Sequence, residues 1–356
     1  MRHARAALIV AAGLLAVLPT PSSWVEALYA RLFYPPLQNL LTPLSGLVPF
    51  ALFDLLLAGA AAWVGVWWIA ALRRACAGGR LRAVRAAGLR TIALAAGVYL
   101  VFLAVWGFNY RREPLAAKLG HDAHRVTSQA LRELGVETAD RLNDLYPAAP
   151  RAGWPELDAL PARLGPAFER VQRRLGSDRI AVAGTPKATL LAPYFRWAGI
   201  DGMVSPFTLE ILVNDAVLPF ERPYVVAHEW AHLAGYAAES EASFVGWLTC
   251  LAGDDASRYS AWLYLLPRVV RHLDEESRGR VWGRLAAGPA ADLRAVALRL
   301  RGAVPIVQRN ASRVYDRYLR ANRVDAGIAS YGEVVDLVLG TTSWRSLQEH
   351  QEPAPD

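Results

Sequence analysis

The clearest chemistry in the chain lies in His228-Glu229-Trp230-Ala231-His232. On a helix, His228 and His232 are one turn apart and project from one face, so both imidazoles can reach one Zn²⁺. Glu229, between them, can take a proton from water held at the metal. The flanking residues suit a buried helix. Pro223 fits the first turn, Gly235 fits the C-terminal cap, and Val225, Val226, Ala227, Ala231 and Ala234 make the remainder apolar. Two histidines and a glutamate in such a helix would be costly to bury without a metal.

A zinc site of this kind needs a third protein ligand and an open position for water. No histidine follows at short spacing; Glu239 and Glu241 follow instead. If a second helix starts near Glu239, then Glu239, Ala242, Ser243 and Gly246 share one face at i, i+3, i+4 and i+7. That face is small apart from its carboxylate. It allows a close approach to the first helix, with Glu239 aimed at the metal. Glu241 points elsewhere, beside Val245 and Leu248. It is read as a support for the ligands or as the alternative ligand.

The elements around this motif are mainly helical. Residues 113–182 place apolar positions at helical spacing, with helices expected near 123–135 and 156–175 and a Pro- and Gly-containing break at 146–155. Residues 187–193 and 207–215 read as strands. In the second, Phe207, Leu209, Ile211 and Val213 alternate with Thr208, Glu210, Leu212 and Asn214. Residues 223–252 and most of 256–340 read as helix. Tyr259, Tyr315, Tyr318 and Tyr331 are candidates to donate a hydrogen bond to a developing oxyanion. The turn-like context GIASYGE favours Tyr331. His272 reads as a surface histidine, and His121 and His124 as solvated.

The first third has another character. The whole chain has 356 residues, 54% of them hydrophobic and 20% charged, which is too apolar for an ordinary soluble protein. Three apolar runs, at about 5–19, 49–72 and 91–108, are read as membrane spans, the first of them short. Asp54, near the end of the second run, is expected to reach headgroup water. The loop between runs two and three carries Arg73, Arg74, Arg80, Arg82, Arg85 and Arg90 and no acid, which places it in the cytoplasm. Segment 20–48 and everything after about residue 112 then lie outside. The net charge of +7 divides accordingly. Residues 1–112 hold 11 Arg against Glu26 and Asp54, a net of +9, and the remainder is −2. The basic balance is therefore a topology signal, and no nucleic-acid partner is expected. Cys76 and Cys250 are too few for a disulfide framework.

Several blocks carry a family resemblance: WGFNYRREPL (106–115), SPFTLEILVN (205–214), HEWAHLAGYAAESEASFVGWLTC (228–250), RYSAWLY (258–264) and YDRYLRANRVDAGIASYGEVVDLVL (315–339). In this order they resemble a family of bacterial membrane proteins, domain of unknown function 3810, whose motif implies zinc peptidases. The ExxA pattern at Glu239–Ala242 is also similar to the third-ligand helix of membrane-bound CAAX-prenyl-type endopeptidases. Those usually have Asp where this chain has Ser243.

The two-helix, Glu-ligand arrangement resembles that of gluzincins. That likeness implies a mainly α (α+β) fold, in which a mostly helical zincin domain with a small sheet follows a three-helix transmembrane region. It also implies that an extended substrate lies along an edge strand. Strand 207–215 is read as that edge, with Asn214 gripping substrate backbone.

The resulting expectation is a bacterial inner-membrane zinc metallopeptidase acting on a peptide or protein substrate. It has membrane segments over 1–112, an extracytoplasmic domain over 113–342 and a tail over 343–356. His228, His232 and Glu239 bind Zn²⁺, and Glu229 is the general base. The alternatives are a non-catalytic membrane sensor or scaffold with a structural zinc site, and a zinc amidase acting on cell-wall material.

Overall fold

The structure, a computed structural model, describes residues 2–76, 80–322, 334–341 and 344. It begins with α1 (Arg2–Val17), α2 (Ser22–Trp24), a π-helical stretch (Val25–Phe33) and α3 (Tyr34–Gly46). The last three form one rod, Ser22–Gly46, bent by 113° from α1. The wide π turns sit just before Pro35 and Pro36, whose missing N–H groups cannot continue the ordinary ladder. α4 (Leu52–Cys76) and α5 (Arg80–Val105) follow.

Two helical stretches, Leu52–Arg73 and Ala83–Val105, are long and apolar enough to cross a membrane; a third exists if the bent pair counts as one span. The apolar stretch of α5 thus begins before the expected residue 91. Segment 20–48, expected as an outer connection, is largely helix. One face of it enters the protein. Tyr34 Oη donates to Leu233 O, Thr42 Oγ1 to Leu209 O, and Gln38 bridges both backbone groups of Val182.

The region after α5 is mostly helical. It runs through α6 (Leu115–Lys118), α7 (Ser128–Leu145), α8 (Leu160–Arg174), α9 (Ala192–Ala198), α10 (Arg222–Leu233), α11 (Glu239–Leu251) and α12 (Asp255–Arg271). It ends with α13 (Glu275–Arg284), α14 (Ala287–Arg301), α15 (Pro305–Ala321) and α16 (Val334–Gly340). Side-chain caps fix several starts: Thr127 accepts from Ala130 N, Asp254 from Ser257 N and Asp274 from Ser277 N.

A small sheet joins β1 (Pro186–Lys187), β2 (Gly202–Val204) and β3 (Ile211–Val213) in the order β1-β3-β2. β3 pairs parallel with β1 and antiparallel with β2. The expected strand at 187–193 shrinks to β1, because Thr189 and Pro193 turn the chain into α9. The expected strand at 207–215 shrinks to β3. Leu209 adopts a left-handed backbone (φ 48°), and its N–H donates to Ser205 O, which closes a turn before the strand. β3 is the central strand and not an edge; the edges of the described sheet are β1 and β2.

The larger of two buried clusters among the described residues runs across residue 112. Val25, Tyr29 and Tyr34 of the rod, and Phe102, Leu103 and Trp106 at the end of α5, belong to the cluster that holds Trp230, Trp247 and Trp262. The boundary expected at 112 therefore separates no two cores. Asp54, expected in headgroup water, accepts instead from Thr189 Oγ1 (2.7 Å) and Leu190 N (2.7 Å).

Candidate metal centre

α10 carries His228, Glu229 and His232, and α11 begins at Glu239. Pro223 lies in the first turn of α10, and Gly235, at φ 86°, reverses the chain after it. The two helices cross at Gly246, where an added Cβ would lie 2.8 Å from His228 N. Only glycine permits that approach, and it brings Glu239 under the imidazoles. His228 Nε2 lies 3.3 Å and His232 Nε2 3.6 Å from Glu239 Oε2.

The ligand atoms of all three residues lie within 4.8 Å of one another. Tetrahedral ligands at zinc–nitrogen distances stand about 3.3 Å apart, so the spacing fits one such ion. Glu239 Oε2 and Glu229 Oε2 are buried and have no hydrogen-bond partner. Orphaned carboxylate oxygens beside two imidazoles are what a cation would satisfy.

Both rings are held from behind. His232 Nδ1 donates to Tyr236 O (2.8 Å), which fixes the ring with Nε2 turned toward Glu239. His228 Nδ1 lies 3.4 Å from Ser243 Oγ, which accepts from Tyr264 Oη (2.9 Å). Ser243 thus stands behind the imidazole, in place of the Asp of the prenyl-type endopeptidases.

Burial pushes the Glu229 carboxyl up to about 8. Burial would also raise Glu239, but the adjoining His232 and His228 hold it well below the usual carboxylate range. Desolvation lowers His228. Desolvation acts the same way on His232, yet Glu239 and Glu229 push it up to about 9. The cluster therefore holds an ionised Glu239 beside a carboxyl poised near neutrality. His228 retains 14% side-chain exposure, which gives the cluster a route to solvent.

With this geometry, the match to known proteins can be placed. Residues 29–339 match the family described as "Protein of unknown function (DUF3810)". The chain belongs to this family. Its match includes both arms of the site, α10 and α11, and most of the rod that supports them. No curated protein and no solved structure matches the chain.

In this DUF3810 chain the other expected residues scatter. Glu241 faces away from the cluster and accepts from Leu115 N (2.6 Å). Asn214 is buried just past the end of the central strand, and its amide is committed to Ile200 O and Ala216 N. It caps a turn and has no free edge to offer. Tyr331 lies outside the described residues. Tyr315 Oη donates to Glu239 Oε1, so of the three described tyrosines it is the one seated at the cluster. Tyr318 packs on Tyr110 and Phe102, and Tyr259 donates to Asp292. His272 caps α12, His124 is exposed, and His121 Nε2 lies against Asp336 O.

Three contributors were hidden in the sequence. Trp106, at the end of α5, stands edge-on to His232 at 6.2 Å. Tyr264 holds Ser243. Gly202 of β2 lies against Glu229, where a Cβ would come within 2.7 Å of Oε1. The isolated glycine in GIDGMV was the one local signal of that close approach.

Proposed function

We propose that this protein is a membrane-anchored zinc-dependent metallopeptidase with its site beside the membrane surface. The observation that carries the reading is the convergence of three ligand atoms on one point, next to a second buried carboxylate with an unpaired oxygen. His228, His232 and Glu239 would hold Zn²⁺. When bound, the ion supplies positive charge that acidifies water and polarises a carbonyl. Glu229 takes the proton from the attacking water and returns it to the leaving amine. Its position near neutrality suits both transfers. An extended peptide would lie along β2, whose outer edge is unpaired by strand and whose Gly202 touches Glu229.

The Arg-rich loop over 73–90 supports an N-terminus in the cytoplasm and a site on the opposite side. A phosphatase fused after residue 120 is then active. Activity of a fusion within 75–88 instead would reverse that arrangement.

One observation favours the non-catalytic alternative, a sensor or scaffold with a structural zinc. α15 seats Tyr315 on Glu239, which closes one side of the cluster. Purified full-length protein separates the readings. The peptidase binds one zinc and cleaves peptides in a chelator-sensitive way. The scaffold binds zinc and cleaves nothing, and cleavage of peptidoglycan alone identifies the amidase.

A further inference from the structure

α9 has two apolar faces. Leu191, Phe195 and Ala198 recur at i, i+4 and i+7 on the inner face; Phe195 and Ala198 are buried, and Leu191 and Phe195 pack with Leu212 of β3. Tyr194 and Trp197 lie on the outer face, continued by Leu190 in the turn before the helix, and the three are 42%, 51% and 81% exposed. Apolar residues all round a helix call for cover on both sides. Beside it, the start of α15 adds Val304 and Ile306, both exposed, and Val304 N donates to Trp197 O.

The position of this surface says what covers it. Leu190 N donates to Asp54 in the first turn of α4, and Phe53 packs against the inner face of α9. α9 therefore sits at the level where α4 begins. The apolar stretch of α4 has a mean hydropathy of 2.0 and is 0% buried by protein, so lipid is its solvent. The outer face of α9 continues that bare surface at its end, and Tyr and Trp are the residues that favour the headgroup layer. Arg196, the one charge on α9, turns aside to Asp215.

We propose that α9 and the start of α15 rest in the headgroup layer of the leaflet that α4 enters, as a lipid-binding surface of the outer region itself. The docking holds β2, and with it Glu229, at the membrane surface, because Met203 packs in the same cluster as Phe53. The proposal does not depend on the peptidase reading.

The test uses the full chain in phospholipid nanodiscs, spin-labelled at Leu190→Cys or Trp197→Cys in a Cys76→Ser background. Glu276→Cys serves as the exposed control. Cys250 is fully buried, and burial raises its thiol well above the usual range, so it escapes labelling. Collision with oxygen and with a water-soluble nickel chelate then reports the surroundings. At 190 and 197 the nickel collision rate is expected to fall several-fold below that at 276, with oxygen collision retained or raised. Nickel access equal to that at 276 would overturn the proposal and leave the face in water. Exclusion of both colliders would also overturn it, and would show protein, such as a second copy, covering the face.

Discussion

Two clusters of buried charge lie on either side of β3, and they are built on opposite principles. In one, Lys187 and Glu210 are both buried, and every valence is used. The ammonium donates to Ser45 O, Phe50 O and Glu210 Oε2. The carboxylate also accepts from Thr208 Oγ1 and from Leu52 N and Phe53 N, the first free amides of α4. In the other, Glu239 and Glu229 are likewise buried, yet one oxygen of each has no partner. Saturation fixes a joint, here between the apolar helix α4 and the sheet. Unsatisfied valence at the same depth is costly unless something else fills it. The contrast separates a structural charge cluster from a chemical one without reference to the motif.

Five substitutions break or sharpen this contrast. Glu229→Gln in the unsaturated cluster is expected to lower kcat by about 10²–10⁴ while zinc content stays at wild type. A variant with full peptide hydrolysis would sink the assignment of the base. Glu210→Leu in the saturated cluster is expected to cost about 3–5 kcal/mol in denaturant unfolding, since it strands a buried ammonium. The double variant Lys187→Met/Glu210→Leu should recover much of that loss with zinc binding intact. Zinc loss in the double variant would mean the two clusters are one unit.

At the helix crossing, Gly246→Ala forces α10 and α11 apart. It should cost about 1–3 kcal/mol and weaken zinc binding together with stability. Unchanged melting in both metal-free and zinc-loaded protein would contradict the crossing described here. The smallest effect is expected from Ser243→Ala, which removes the group behind His228. Competition with a chelator should show zinc affinity reduced by about 10-fold, with metal-free stability little changed.

The chemistry was legible where it depended on local periodicity. The spacing of His228 and His232 and the small face of Glu239, Ala242, Ser243 and Gly246 follow from 3.6 residues per turn, and α10 and α11 meet along those faces. What escaped depended on distant partners. β2 is three residues long and exists only because β3 lies beside it. The partners of Asp54 could not be read locally, because its donors, Thr189 Oγ1 and Leu190 N, lie 135 and 136 residues away. The rod Ser22–Gly46 looked like a connection, because Pro35, Pro36 and Pro43 interrupt its pattern. Its π turns and its tertiary bonds override that local signal. Asn214 alternated correctly for a strand, but alternation does not distinguish a central strand from an edge.

The bond from Tyr34 Oη to Leu233 O ends α10 on a group 199 residues earlier in the chain. In time rather than space, the ribosome finishes the rod long before it makes the helix that the rod supports. Gln38 and Thr42 wait for partners at 182 and 209 in the same way. Closing loops of that length is slow compared with forming any one helix. Assembly of the histidine cluster is therefore a late event in the life of a new chain, completed after its apolar N-terminal helices have been made.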